Sequence, residues 1–390
     1  MNRSVIMQAM RIAVIFIVAA QVFAACPQAA PLVPTEPALE VSTSAELSAA
    51  INAANAGGRK HIVLAPGDYR VAGRGYVLRA NNITIRGKTG NRADVVIRGD
   101  GHRGTATHGF LVWGKDVTIR DLSIGWVKHH AIQIAGERDA DRPVLYNLRI
   151  ADTGQQLVKV SGAYTPQVSN NGRVSACLFE FTKGVAFQFY TGGIDAHSTV
   201  DWEVTDNEFR NIRSPEARLA EHAIHFWSGA KNTLVARNRI FNSDRGIGFG
   251  LGQRGHRGGI IRNNFVHTTR DVGIGLESSP NTTVAHNTVV ISSYANAIEY
   301  RFKRTRDVKI VANLVNKRVQ KRQGGSAQLA RNITNAAPYW FVNAGRGDLH
   351  LTPTLQLELT RTPSGIGITD DIDCQARGTG LTHVGADHKD

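Results

Sequence analysis

The 390-residue chain is 42% hydrophobic and 20% charged, a balance that builds a buried core and excludes a disordered polyelectrolyte. Its three cysteines, Cys26, Cys177 and Cys374, exclude a disulfide framework as the means of holding so long a chain together. A formal net charge of +14 points to an anionic partner.

Arg3 and Arg11 flank the start of an apolar stretch, Ile12–Val18, that runs through small residues to Cys26. This is the layout of a signal peptide over residues 1–25, and the apolar run is too short for a permanent spanning helix. Its end has two readings: Val22–Ala24 suits ordinary cleavage, whereas Ala24-Ala25-Cys26 resembles the run before a lipidated cysteine. The expected locations are therefore the periplasm, an outer-membrane tether through lipidated Cys26, or the medium. Export favours an acidic polysaccharide over nucleic acid as the anionic partner, with no membrane contact except through that lipid. Residues 26–40, rich in Pro and Ala, read as a linker.

Thr43 to Glu46 have capping-box spacing and open an amphipathic stretch from Leu47 to Ala54, expected to act as a lid on the first coil. Next comes an apolar run ending Pro66-Gly67-Asp68-Tyr69. Short β-branched runs then recur, each ending in Asn: Asn207, Asn238, Asn264, Asn287, Asn313 and Asn332. A second run, such as Ala131–Ile134, Leu157–Val160, Ala186–Phe189, Ala223–Phe226, Gly246–Phe249, Gly273–Leu276 and Ala297–Tyr300, precedes most of them. Strands this short with no helical period between them cannot form βαβ units. They wind as a solenoid, in which the second and fourth residues of each run point inward and stack. Each recurring Asn is expected at a turn, in left-handed backbone, hydrogen-bonded to the neighbouring coil.

The helix-then-coil opening and the repeats resemble the pectin-lyase-like superfamily from about residue 43 to about 352. The resemblance implies one right-handed parallel β-helix, all-β, over residues 41–352 with an N-terminal capping helix. It also implies proteins that bind or cleave polysaccharides. Residues 353–390 read as a loop-rich tail whose Cys374 is buried or free rather than catalytic.

Function belongs to the outward positions. Aligning the second runs gives an outward column of Gln133, Lys159, Gln188, His225, Gly248, Gly275 and Glu299. A neighbouring column holds Ala135, Ser161, Tyr190, Trp227, Gly250, Glu277 and Arg301. The glycines are read as room for a ligand beside Trp227, and extra loops at 191–200 and 213–221 as walls. Lys159, Gln188, Tyr190, Trp227, Glu277, Glu299 and Arg301 are the expected substrate-binding side chains. His225, His222, Arg245, Asp195 and His197 are the expected catalytic set: a histidine base, a carboxylate that orients it and a cation. The chemistry that suits them is β-elimination or C5 epimerisation of a uronate polymer by a monomer. Paired carboxylates of a glycoside hydrolase are the alternative, as is a non-catalytic binder gripping a polyanion with the basic stretch 301–322. No cofactor and no metal are expected; calcium is the ion the acids are best suited to, but they form no calcium-loop motif.

Overall fold

The computed structural model describes residues 30–162, 166–353, 355, 362–363, 366–378 and 381–388. The expected signal peptide and Cys26 lie outside the described residues. Among those described, no helix is long and apolar enough to cross a membrane.

The chain enters through strand Leu39–Val41, slightly ahead of the expected boundary, and then forms helix α1, Ser44–Asn55. Thr43 accepts from the Glu46 amide and the Glu46 carboxylate accepts from the Thr43 amide, closing the capping box that the sequence announces. Leu47, Ala50, Ile51 and Ala54 are buried, so α1 covers the open end of the first coil.

From there every coil runs parallel to the next. Ten strands form one sheet: Tyr76–Leu78, Phe110–Val112, Ile132–Ala135, Val158–Ser161, Ile194–His197, His222–Trp227, Arg245–Phe249, Ile274–Glu277, Asn296–Arg301 and Arg318–Arg322. The other faces merge into a twenty-stranded sheet, because the long strands Thr118–Gly125 and Val144–Ala151 each pair across two successive ribbons. A parallel β-helix results, with a core that is a stack of equivalent side chains. Val158, Ile194 and Ile224 occupy one register position, Val160, Ala196 and Phe226 the next inward one, and all six are fully buried.

One expected strand is replaced. Ala186–Phe189 forms no strand, and its place in the sheet is taken by Ile194–His197. The chain of the displaced run is used in a loop, where Phe187 stacks on His102 at 3.8 Å and Arg218 lies over Phe189.

The recurring asparagines form a ladder inside the tube. Each side-chain amide donates to the carbonyl oxygen of the next rung: Asn207 to Asn238 at 3.0 Å, Asn238 to Asn264 at 3.0 Å, Asn264 to Asn287 at 2.9 Å, Asn287 to Asn313 at 3.0 Å and Asn313 to Asn332 at 2.9 Å. The hydrogen bond between coils is as expected. The left-handed backbone belongs to the residue before each rung instead: Asp206, Arg237, Asn263, His286, Ala312 and Arg331 all have φ between 52° and 61°. That corner turns the following Asn inward, where its donors and acceptor must be matched. Asn264→Ala is expected to cost about 1–3 kcal/mol, because it strips a buried partner from both Asn238 and Asn287. Urea unfolding measures this, and an unchanged midpoint would remove the ladder from the list of stabilising features.

The tail is more ordered than a loose loop. Asp370 pairs with Arg237 at 2.9 Å and with Arg262, and its backbone carbonyl accepts from Asn263 at 2.8 Å. Ile372, Val384 and Ala386 join Phe265, Leu314 and Leu349 in a second apolar cluster on the tube's flank. Cys374 is disulfide-bonded, which corrects the expectation of a buried or free thiol. Cys177 is free and buried, and burial pushes its thiol up to about 12, so it is chemically inert.

Candidate functional site

The outward column of the ten-stranded sheet reads Gln133, Lys159, Asp195, His225, Gly248, Gly275, Glu299 and Gln320 in register. Beside it, His197 pairs with Trp227 and Glu277 with Arg301. Asp195 and His197 therefore occupy the positions expected of Gln188 and Tyr190. Those two residues lie in the loop before the strand: the Gln188 amide donates to Gly154 O at 2.6 Å, and Tyr190 is exposed to solvent. Neither lines the two clefts described below; Gln188 borders a separate hollow of about 320 Å³ with His102, Lys128, His129 and Phe187.

Lys159, Asp195, His197, His225 and Trp227 do come together, as a covered network. Lys159 pairs with Asp195 and lies 2.9 Å from His197 Nε2, while Trp227 Nε1 donates to Asp195 Oδ1 at 2.6 Å. Burial raises the Asp195 pKa, but contact with His197 and the charge of Lys159 outweigh it, so the carboxyl stays well below the usual carboxylate range. His225 stacks parallel to the Trp227 indole at 5.3 Å and is 1% exposed. It faces outward as expected, but Trp227 and its neighbours cover it, so a polymer cannot touch it directly.

His222 opens its strand, and its ring lies over Gly248: a Cβ there would come within 2.8 Å of the imidazole. Gly248 therefore makes room for His222 and not for a sugar. Gly250, at φ +83°, has Glu277 O where a Cβ would stand, which is also a structural requirement. Only Gly275 keeps the open character expected of the glycines, with 3.8 Å between a notional Cβ and His222 Nε2.

Past His222 the sheet opens into a cleft of about 580 Å³. Arg245, Arg301 and Arg322 reach it, each held by an acid: Asp271 at 3.1 Å, Glu277 at 2.7 Å and Glu299 at 3.1 Å respectively. Tyr294 donates to Glu299 at 2.8 Å, and burial followed by that carboxylate raises its pKa, so the phenol keeps its proton. One wall is the 213–221 loop, as expected, which Arg270 fixes by donating to Glu216 O at 2.9 Å and Ala217 O at 2.5 Å. The other expected wall is displaced, since Ile194–His197 is sheet and the inserted loop precedes it. Sequence reasoning missed Tyr294 and Asp271, and it saw Arg322 only as the end of the basic stretch 301–322. Tyr294 and Asp271 sit just before the strands Asn296–Arg301 and Ile274–Glu277, so the strand entrances carried the signal.

The turn Leu251–Arg254 separates this cleft from a second, of about 1000 Å³. Lys231, Arg254, Arg257, Lys303, Arg304 and Arg306 line it, and no acid does. Arg254 lies 4.1 Å over the Trp227 ring, on the border between the covered network and this basic trough. Lys303, Arg304 and Arg306 come from the basic stretch that the sequence marks as a polyanion grip.

Residues 175–315 match the model of a family described as the right-handed beta helix region. Among solved structures, the pectate lyase Pel9A is 13% identical with a TM-score of 0.56, over 86% of this chain and 90% of that one. An alginate lyase from Paenibacillus sp. str. FPU-7 is 16% identical with a TM-score of 0.50, over 77% of this chain and 99% of that one. No curated protein sequence matches the chain. Parallel coils, an inward stack, a helical lid and these likenesses agree: the chain has a right-handed parallel β-helix fold.

Proposed function

We propose that the chain is an exported monomer that binds an acidic polysaccharide across the two adjoining clefts and acts on it by β-elimination or C5 epimerisation. The observation that carries this reading is the pairing of a trough holding six cations and no acid with a cleft lined by four arginines, Arg245, Arg270, Arg301 and Arg322. A polyanion laid in the trough is held by long-range attraction, and its next residue enters the arginine cleft. Both reactions begin by removing the proton beside a carboxylate, which leaves charge on the carboxylate oxygens. In this reading Arg245 receives that group, and His222, which lines the cleft's inner end, accepts the proton. Tyr294, still protonated, is placed to return a proton.

The paired-carboxylate alternative is less well supported. Asp195 is bound by Lys159 and Trp227, Asp244 by the Ser214 and Ala220 amides, and Glu299 by Tyr294, Asn296 and Arg322. Glu277 is likewise held, by Arg301 and the Gly252 amide, which of the five candidate acids leaves Glu221, whose Oε2 has no hydrogen-bond partner, and one carboxylate does not make a pair. Pel9A and the Paenibacillus enzyme carry the names of polysaccharide lyases, which agrees with a polysaccharide substrate.

Incubation with polygalacturonate, alginate and glycosaminoglycans tests the proposal. The expected result is new absorbance from unsaturated ends, or altered anomeric proton signals without cleavage. Reducing ends without unsaturation would mean hydrolysis. Silence in every assay with polymer still retained would leave a binder, and silence with no retention would end the reading.

A further inference from the structure

We infer that Glu221, His222 and His225 form a binding site for one divalent transition-metal ion, of the zinc class, at the inner end of the arginine cleft. This goes beyond the polysaccharide reading and does not depend on it, and an ion bound here would remove His222 from the proton-acceptor role that reading gives it. One candidate ligand atom from each of the three residues lies within 4.8 Å of the other two. The independent observation is a set of orphans: Glu221 Oε2, His222 Nδ1 and His225 Nδ1 are all buried without a hydrogen-bond partner. Both histidines are more than nine-tenths buried. Native proteins seldom leave one such atom unmatched, and here each of the three clustered residues carries one.

The protonation pattern sharpens the point. His225 Nε2 lies 3.2 Å from Gly250 O, and a carbonyl only accepts, so this nitrogen carries the ring's hydrogen. Nδ1 of the neutral ring is then a bare lone pair, 3.7 Å from Glu221 Oε2 and 3.8 Å from Asp195 Oδ1. Lone pair facing carboxylate is repulsive unless a cation stands between them. A ligand imidazole whose far N–H is fixed by a backbone carbonyl is also the usual outer arrangement of a metal-bound histidine.

The donor set selects the ion. Two imidazoles and one carboxylate suit zinc and its neighbours, whereas calcium takes six to eight oxygens. Three protein ligands leave a fourth position, and since His222 and Arg245 line the cleft, that position faces it. Gly248 gains a purpose as well: it is the gap that lets the His222 ring lie flat on the sheet beside His225.

The test uses the full chain, stripped with a chelator and titrated with zinc by calorimetry and with cobalt(II) by visible absorption, with no polysaccharide present. One equivalent of each ion is expected to bind, with cobalt bands typical of a four-coordinate nitrogen and oxygen site and a rise in melting temperature. His225→Ala and Glu221→Gln are each expected to weaken binding ~10-fold or more. His222→Ala, at the mouth of the strand, serves as the variant least disturbing to the core, and its metal-free melting temperature checks that it folds. Asp371→Asn with Asp373→Asn, in the separate acidic cluster of the tail, is expected to leave the titration unchanged. Absence of binding, or binding that survives His222→Ala and Glu221→Gln, would overturn the site. Either failure leaves the polysaccharide reading as it stood.

Discussion

Asp370→Ala is expected to destabilise the protein by about 3–5 kcal/mol, the usual consequence of removing one partner from a buried ion pair. The reason is where its partners lie. Arg262 is fully buried, and Arg237 is nearly so. Arg237 keeps Asp206 at 2.7 Å, whereas the fully buried Arg262 loses the Asp370 carboxylate that pairs with it directly. Urea unfolding with the paired control, Arg262→Met together with Asp370→Leu, separates charge from packing: the apolar pair is expected to recover most of the loss. Equal loss in both variants would mean that the tail is held by its apolar cluster and not by this carboxylate. Limited proteolysis should then show whether residues 366–388 detach first.

Arg245→Ala is expected to lower turnover on the responsive polysaccharide ~100-fold or more, the scale on which a preorganised charge at a developing anion acts. Arg245→Lys is expected to restore little, because an ammonium cannot present the two parallel donors of a guanidinium to a carboxylate. The combined change of Lys303, Arg304 and Arg306 to Gln should behave differently. It is expected to raise KM and flatten the salt dependence while leaving kcat nearly unchanged, since those side chains are exposed and act through screened attraction. Initial rates across a salt series distinguish the two. If Arg245→Ala raised KM alone, the cleft would be a holding site and the chemistry would lie elsewhere.

The inward stack was legible in the sequence because alternation has a period of two and nothing else in the chain competes with it. Ile224 with Phe226 and Ile247 with Phe249 could be paired from spacing alone. Ala186–Phe189 imitates the same alternation, and the imitation shifted one coil by seven residues. The strand actually used, Ile194–His197, follows Gly193, where a Cβ would meet Ala223 O at 2.2 Å. Ile132, Ile224, Ile247, Ile274 and Ile298 all hold the position that Ile194 fills, so a branched residue there was the better guide.

The site was less legible than the core. Proximity of Lys159, Asp195, His225 and Trp227 follows from register, which the sequence supplies once the coil length is right. Their burial does not follow, because it depends on the Trp227 indole lying against His225 and Asp195. The space above Gly248 likewise looked empty from the sequence, since only the coordinates place the His222 ring there.

The asparagine ladder limits how such a molecule can change its length. An internal duplication of one whole coil would supply a new rung with a donor for one neighbour and an acceptor for the other, and would lengthen the tube by roughly 4.8 Å. A duplication of any other size would leave two amides facing mismatched backbone. Growth is therefore restricted to integer steps, and each step would add one more platform on which a longer ligand can rest.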